Sequence, residues 1–171
     1  HLAESPEELE WLTNRSGPFR QLLESLGACF PNELPSQYGI QKILQVLATA
    51  HRSLLIHGNY LTSENIEFIS QHRDRLAVVF CPRTHHFFRH QKHPIDQLRA
   101  AGILVALGTD SRASNPDLNL IEEARLVSEQ YKTAPMDVLK MLTLDAARCL
   151  AVDNQFGSLE PGKLACFSVF Q

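Results

Sequence analysis

Leu104-Val105-Ala106-Leu107-Gly108-Thr109-Asp110-Ser111 is the stretch that sets the fold of this 171-residue chain. Four apolar residues of strand length run directly into Gly-Thr-Asp-Ser. A continuous apolar run of this length reads as a strand buried on both faces, as in a parallel sheet. Gly108 supplies the freedom for a sharp turn at the strand end. Asp110 then stands at the carboxyl end of a buried strand, where chemistry collects in α/β sheets and barrels. Asp110 has two readings: a side-chain cap for the next turn or helix, or a catalytic residue.

Upstream of this strand the same grammar repeats. Ser53 to Ile56 reads as a buried strand ending at His57-Gly58-Asn59, and Leu76 to Phe80 as another, closed by Cys81-Pro82. Between them, Leu61-Thr62-Ser63-Glu64-Asn65 opens a helix with Thr62 or Ser63 as N-cap. Pro94 to Ala101 is predicted helical, with Gly102 after it, and Ile40, Ile43, Leu44 and Leu47 recur at helical spacing over Ser36 to about Ala50. Pro31 to Pro35 reads as a loop. Phe19 to Leu26 ends at Gly27, a C-cap residue. Ser5-Pro6-Glu7-Glu8 is a helix start, with Ser5 as N-cap, Pro6 in the first turn and Glu8 completing a capping box. His1 to Glu4 is then the end of a strand feeding that helix, and its abrupt opening suggests a cut into a longer chain. Downstream, Asn119 to Tyr131, Pro135 to Thr143 and Leu144 to Leu150 are predicted helices. Strands alternating with helices mean βα units and a parallel sheet. The tail differs: Phe156 to Lys163 is turn-rich, and Leu164 to Phe170 has strand composition.

Composition excludes several classes. The chain is 44% hydrophobic and 20% charged, with net charge −3. That gives no electrostatic footing for nucleic acid or an anionic membrane. Its apolar runs fall far short of the ~20 residues needed to span a bilayer, and no charged-then-apolar leader opens it. The four cysteines, Cys29, Cys81, Cys149 and Cys166, are scattered without a Cys-x-x-Cys pair, as in a cytoplasmic protein with reduced thiols.

The strand ends gain meaning together. His1, His57 and Asp110 each stand at or just past the carboxyl end of a predicted strand, and Glu4 follows His1 by three positions. A lone strand-end histidine is more often structural than functional. Several proton-handling residues at successive strand ends would converge on one mouth if the strands are parallel neighbours. Imidazole and carboxylate are the donor set for Zn²⁺ or Fe²⁺.

The motifs His1-Leu2-Ala3-Glu4, Leu55-Ile56-His57-Gly58-Asn59-Tyr60-Leu61-Thr62, Phe80-Cys81-Pro82-Arg83-Thr84-His85, Gly108 to Asn115 and Gly157 to Ala165 keep one order and spacing over essentially the whole chain. In this they resemble the second half of an amidohydrolase-superfamily enzyme, in the branch of aromatic deaminases and chlorohydrolases. The resemblance implies an α/β fold: strands five to eight of a (β/α)₈ TIM barrel of the metal-dependent hydrolase type over residues 1–155, with residues 156–171 returning to a small β-sandwich domain as a short β segment. It implies one catalytic divalent metal, zinc or iron, in the intact enzyme. His1 matches the metal ligand on strand five, and Asp110 the strand-eight ligand that also takes a proton from water. Glu4 matches the carboxylate that passes protons to the ring nitrogen and leaving group, and His57 the strand-six histidine that polarises the water or the tetrahedral species.

Two positions depart from the family pattern. The His-x-His pair of strand one is not in this chain, so His1 and Asp110 alone are expected to leave the isolated chain without its metal. Cys166 follows Ala165 where the family usually carries Asp. The histidine-rich stretch from Arg83 to His93 reads two ways: a second metal site built from His85, His86, His90 and His93, or the loop after strand seven, with Arg83 and His85 touching substrate. Asn115 is expected either to contact substrate or to hold the strand-eight loop.

The expected function is hydrolytic deamination of a purine-like or other nitrogen heterocycle by a metal-activated water, with cleavage of a carbon–nitrogen bond other than a peptide bond. The alternatives are a dechlorinating or an amide or cyclic-amide hydrolase of the same superfamily, and a catalytically incompetent fragment that only binds. The expected partner is a small heterocyclic substrate, with no nucleic acid and no membrane. The open strand edges of half a barrel predict a homo-oligomer or association with the N-terminal half.

Overall fold

The computed structural model describes residues 1–28 and 39–169. Its centre is a parallel three-stranded sheet in the order β1 (Ser53–Ile56), β2 (Leu76–Phe80), β3 (Val105–Leu107). Leu55 pairs with Val78, and Val78 with Val105, so the apolar residues of the three strands lie in one row. The helices are α1 (Pro6–Asn14), α2 (Pro18–Ser25), α3 (Ile40–Leu47), α4 (Ser63–Gln71), α5 (Pro82–Phe87), α6 (Ile95–Ala100), α7 (Leu120–Tyr131), α8 (Pro135–Leu142) and α9 (Leu144–Cys149).

Alternation along each strand sorts the core into two layers. Leu55, Leu76, Val78, Phe80, Val105 and Leu107 pack with Leu44, Ile66, Ile69, Leu98, Val127 and Met141 from the surrounding helices. The neighbouring positions Leu54, Ala77, Val79 and Ala106 form a smaller cluster with Ala146 and Cys149 of α9. Three-residue β3 is buried throughout, as its unbroken apolar run predicts. Among the described residues, no helix is long and apolar enough to cross a membrane.

The N-terminal segment is shorter as a strand than its sequence suggests. Leu2 runs parallel to β1, donating to the Ile56 carbonyl at 3.1 Å and accepting from Gly58 at 3.0 Å, but this is a single bridge to His57 and not a strand. The reason lies in the next residues. Ala3 has φ +56, and the Glu8 carboxylate accepts the N–H groups of Ala3 and Glu4 at 3.1 and 2.7 Å. The helix-start acid therefore takes donors that a continuing ladder would have used. Ser5 caps α1 as expected, its hydroxyl accepting from Glu8 N–H at 3.3 Å.

Other differences are equally local. Residues 83–87, expected as loop, continue α5, because Pro82 sits in its first turn with φ already suited to helix. α3 begins at Ile40 and Asn119 is the N-cap of α7; the loop expected at Pro31 to Pro35, the helix start at Ser36 and Cys29 lie outside the described residues. Residues 164–169 form no strand, and Phe167 and Val169 are 68% and 82% exposed. A strand needs a partner, and among the described residues this segment pairs with none.

Gly108 acts through contact and not through a turn. A Cβ there would lie 2.8 Å from Val79 Cγ1 and 3.3 Å from Cys81 Sγ. The left-handed turn falls instead on Asp110, at φ +55. Gly108→Ala is therefore expected to lower unfolding free energy by about 1–3 kcal/mol, the usual cost of overpacking a close contact. Urea unfolding measures it; an unchanged midpoint would mean Val79 yields freely.

Candidate active site

The sheet delivers its polar residues to one end. His57 follows β1 directly, Asp110 lies three residues past β3, and the Leu2 bridge sets His1 and Glu4 beside the end of β1. One ligand atom from each of His1, His57 and Asp110 falls within 4.8 Å of the others. His1 Nε2 is 3.6 Å from Asp110 Oδ1, and the His1 and His57 rings stack at 5.0 Å. His57 Nε2 lies 3.6 Å from Glu4 Oε1. His57 thus joins the two residues the resemblance assigns as ligands, as the three strand ends predict for parallel neighbours.

The local backbone is strained where these groups project. Ala3, His57 and Asp110 all have φ between +55 and +75. Non-glycine residues in that region are uncommon, and such outliers gather at functional sites. Asn59, itself buried, donates to the Glu4 carbonyl at 2.9 Å and so ties the acid to the turn that carries His57.

Each group's protonation follows from its surroundings. Burial lowers the His57 pKa, opposed in part by the nearby Asp110 charge, so its imidazole is held neutral. Both His57 ring nitrogens are buried without a hydrogen-bond partner among the described residues. Burial, then the charge of Asp110, raises the Glu4 carboxyl above its usual range. A raised carboxyl beside a neutral imidazole is suited to carrying a proton. A groove of about 750 Å³ opens from Glu4, walled by Phe19, Leu22, Tyr60, Phe88 and His90.

A second layer of residues holds Asp110. The Ser114 hydroxyl donates to Asp110 Oδ2 at 3.1 Å, so the Thr84 hydroxyl, 2.9 Å away, donates to Ser114. Asn115 Nδ2 donates to the Thr109 carbonyl at 2.8 Å and to Glu123 Oε1 at 2.5 Å. Glu123 is fully buried, and its other oxygen accepts the Arg83 backbone N–H at 2.9 Å. Sequence reasoning does not single out Ser114, Thr84 or Glu123. The available signal for Glu123 is its position four residues before Val127 on the buried stripe of α7.

The residues expected at substrate are occupied with protein. The Arg83 guanidinium donates to Asp117 at 2.6 Å, and Asn115 braces the loop as described. His85 is buried, with Nε2 donating to the Gln91 carbonyl at 2.7 Å. His93 Nε2 donates to the His57 carbonyl at 2.8 Å, and burial pushes its pKa down to about 3. Among the described residues, His85, His86, His90 and His93 do not gather into a metal-binding group; the main chain takes the nitrogens of two of them.

Comparison with known proteins follows this geometry. The amidohydrolase family model matches residues 1–171. Adenosine deaminase of Helicobacter pylori is 27% identical over 99% of this chain and 42% of its own length. A 5-methylthioadenosine/S-adenosylhomocysteine deaminase of Desulforudis audaxviator is 32% identical over 78% of this chain and 33% of its own length. The crystal structure of an adenosine deaminase from Xanthomonas campestris with bound zinc superposes with a TM-score of 0.65 at 25% identity, over 85% of this chain and 38% of that one. The chain therefore spans between a third and a little over two fifths of the length of these two curated relatives.

Proposed function

This chain belongs to the amidohydrolase family, and on that footing we propose that it carries half of the catalytic apparatus of a metal-dependent hydrolase that deaminates a nitrogen heterocycle. One observation carries the reading: donor atoms of His1, His57 and Asp110 meet within 4.8 Å at the ends of neighbouring parallel strands. The Leu2 bridge and β1 to β3 are then strands five to eight of a (β/α)₈ barrel over residues 1–155, and residues 156–171 lead toward a small β domain. Parallel pairing throughout is what such a half barrel requires.

The residues present fit a divalent cation. Two imidazoles and a carboxylate are a zinc or iron donor set, and the buried ring nitrogens of His57 lack another partner. His1 and Asp110 would hold the ion, with His57 within reach of the same point. A cation bound there supplies Lewis acidity that makes water a nucleophile near neutral pH. Zinc in the Xanthomonas relative favours zinc over iron.

The chain's own groups then divide the proton work. Asp110 accepts a proton from the attacking water. Glu4, with its carboxyl raised by burial, delivers its proton to the ring nitrogen, is reprotonated by Asp110, passes that second proton to the departing amine and takes back the hydroxyl proton as the carbonyl forms. Neutral His57, 3.6 Å from Glu4, steadies the charge that develops between them. Water oxygen replaces the amino nitrogen on carbon, and ammonia leaves. The groove beside Glu4 seats the ring substituent.

The test uses the zinc-loaded full-length protein with adenosine, 5-methylthioadenosine and S-adenosylhomocysteine, reading ammonia release. Release that is abolished by a chelator and restored by zinc is expected from at least one of them. Turnover that survives exhaustive metal removal would overturn the reading.

A further inference from the structure

Three hydrogen bonds hold the turn at His57, two between main-chain groups and one from a side chain. The His57 N–H donates to the Val79 carbonyl at 2.9 Å, and the preceding Ile56 carbonyl accepts from Leu2 at 3.1 Å. Both are main-chain bonds that continue the sheet and are indifferent to side-chain identity. The third is specific: the His57 carbonyl accepts from His93 Nε2 at 2.8 Å. A carbonyl can only accept, so Nε2 carries the proton, and Nδ1 is the bare nitrogen. His93 Nδ1 is buried with no partner among the described residues.

His93 is itself held as a rigid donor. It is 1% exposed. Its ring lies flat on Phe80 of β2 at 3.9 Å and 22°, and its main-chain N–H donates to the Tyr131 hydroxyl of α7 at 3.4 Å. Pro94 follows and restricts its backbone to extended conformations. β2, α7 and the segment before α6 thus converge to place one N–H group under the turn that ends β1. A residue with a Cβ at φ +75 is strained, and a buried hydrogen bond to its carbonyl offsets that strain.

We propose that His93 is a positioning residue for His57, whose Nε2–H bond to the His57 carbonyl fixes the turn that directs the His57 imidazole toward His1, Asp110 and Glu4. This rests on the cluster being the reacting centre proposed above. A role in packing alone would need only a flat ring on Phe80, which phenylalanine supplies.

Two substitutions separate the roles. His93→Phe keeps the ring on Phe80 and removes the donor. His93→Gln gives up the ring and keeps an amide N–H near the position of Nε2. Zinc affinity of the full-length protein is measured by chelator competition at a temperature where each variant is folded. His93→Phe is expected to weaken zinc binding by about 10–100-fold, the usual effect of losing a partner that orients a ligand, and His93→Gln to stay within about threefold of the unaltered protein. The reverse order, with phenylalanine retaining affinity and glutamine losing it, would make His93 a packing residue and overturn the proposal. If the unaltered protein binds no zinc, the metal reading falls. The positioning claim is then decided by the ¹⁵N-histidine NMR signals of His57, assigned with His57→Asn. They should shift in His93→Phe and return in His93→Gln; signals unmoved in His93→Phe overturn it.

Discussion

Asp110→Asn is expected to lower turnover of the full-length protein by about 10²–10⁴-fold, the range associated with losing a positioned general base, and to reduce its metal content below stoichiometric. The fold should survive the change. Asparagine tolerates the left-handed region as well as aspartate does, so φ +55 at this position is no obstacle. The Ser114 hydroxyl, which donates to Oδ2 at 3.1 Å, finds an acceptor in the amide oxygen. What disappears is the charge. An amide is a poor base and a weak ligand for a hard or borderline cation. Its neutrality also removes a charge that raises Glu4 and partly opposes the lowering of His57. Turnover with a defined substrate, elemental analysis after dialysis and a thermal melt check the three parts separately. Full activity with full metal would remove Asp110 from the site.

The parts of the fold legible in the sequence are those whose cause is local. β1 and β2 have the bounds their apolar runs set, because Cys81-Pro82 and His57-Gly58-Asn59 end them within a few residues. Thr62, one of the two N-caps the sequence offers, caps α4, with Asn65 returning the bond. Where the cause is distant, the sequence is silent. The Glu8 carboxylate shortens the first strand by capturing two N–H groups, an outcome visible only once α1 is seen to lie against the strand end. Gly108 reads as a turn residue, yet it is the contact with Val79 across the sheet that forbids a side chain there.

The candidate site divides in the same way. Histidine and aspartate at strand ends can be read as convergent once parallel pairing is granted. Which partners each one takes cannot be. His57 and His93 are 36 positions apart, and Arg83 and Glu123 40 apart. The sequence places Arg83 at substrate and leaves Asn115 open between substrate contact and holding the strand-eight loop. Here an acid fully buried in α7 takes the Arg83 N–H and the Asn115 amide. A buried carboxylate must find donors, and here the first turn of α5 and the loop after β3 supply them. Glu123 thus ties the Arg83 main chain and the Asn115 amide together beside the Asp110 loop, while Phe19, Leu22, Tyr60, Phe88 and His90 line the groove beside Glu4.

Glu4→Gln is expected to abolish turnover to a similar degree while leaving metal content intact, and that contrast with Asp110→Asn is the sharper result. Glu4 lies 3.6 Å from His57 Nε2 but is not among the side chains whose ligand atoms meet at the His1, His57 and Asp110 point. Its backbone is tied by Asn59 at 2.9 Å and by the Glu8 carboxylate at 2.7 Å, neither of which involves its own carboxyl. Glutamine should therefore sit in the same place with the same shape. It cannot release and recover a proton, and a group shuttling protons between water, ring nitrogen and amine must do both. The raised Glu4 carboxyl adds a pH signature. Burial favours its protonated form, so the limb of the pH–rate profile that it controls should lie above the usual carboxylate range and vanish from the residual activity of the glutamine variant. A Glu4→Gln protein that purified without metal would make Glu4 a ligand, and the division of labour among Glu4, His57 and Asp110 would have to be redrawn.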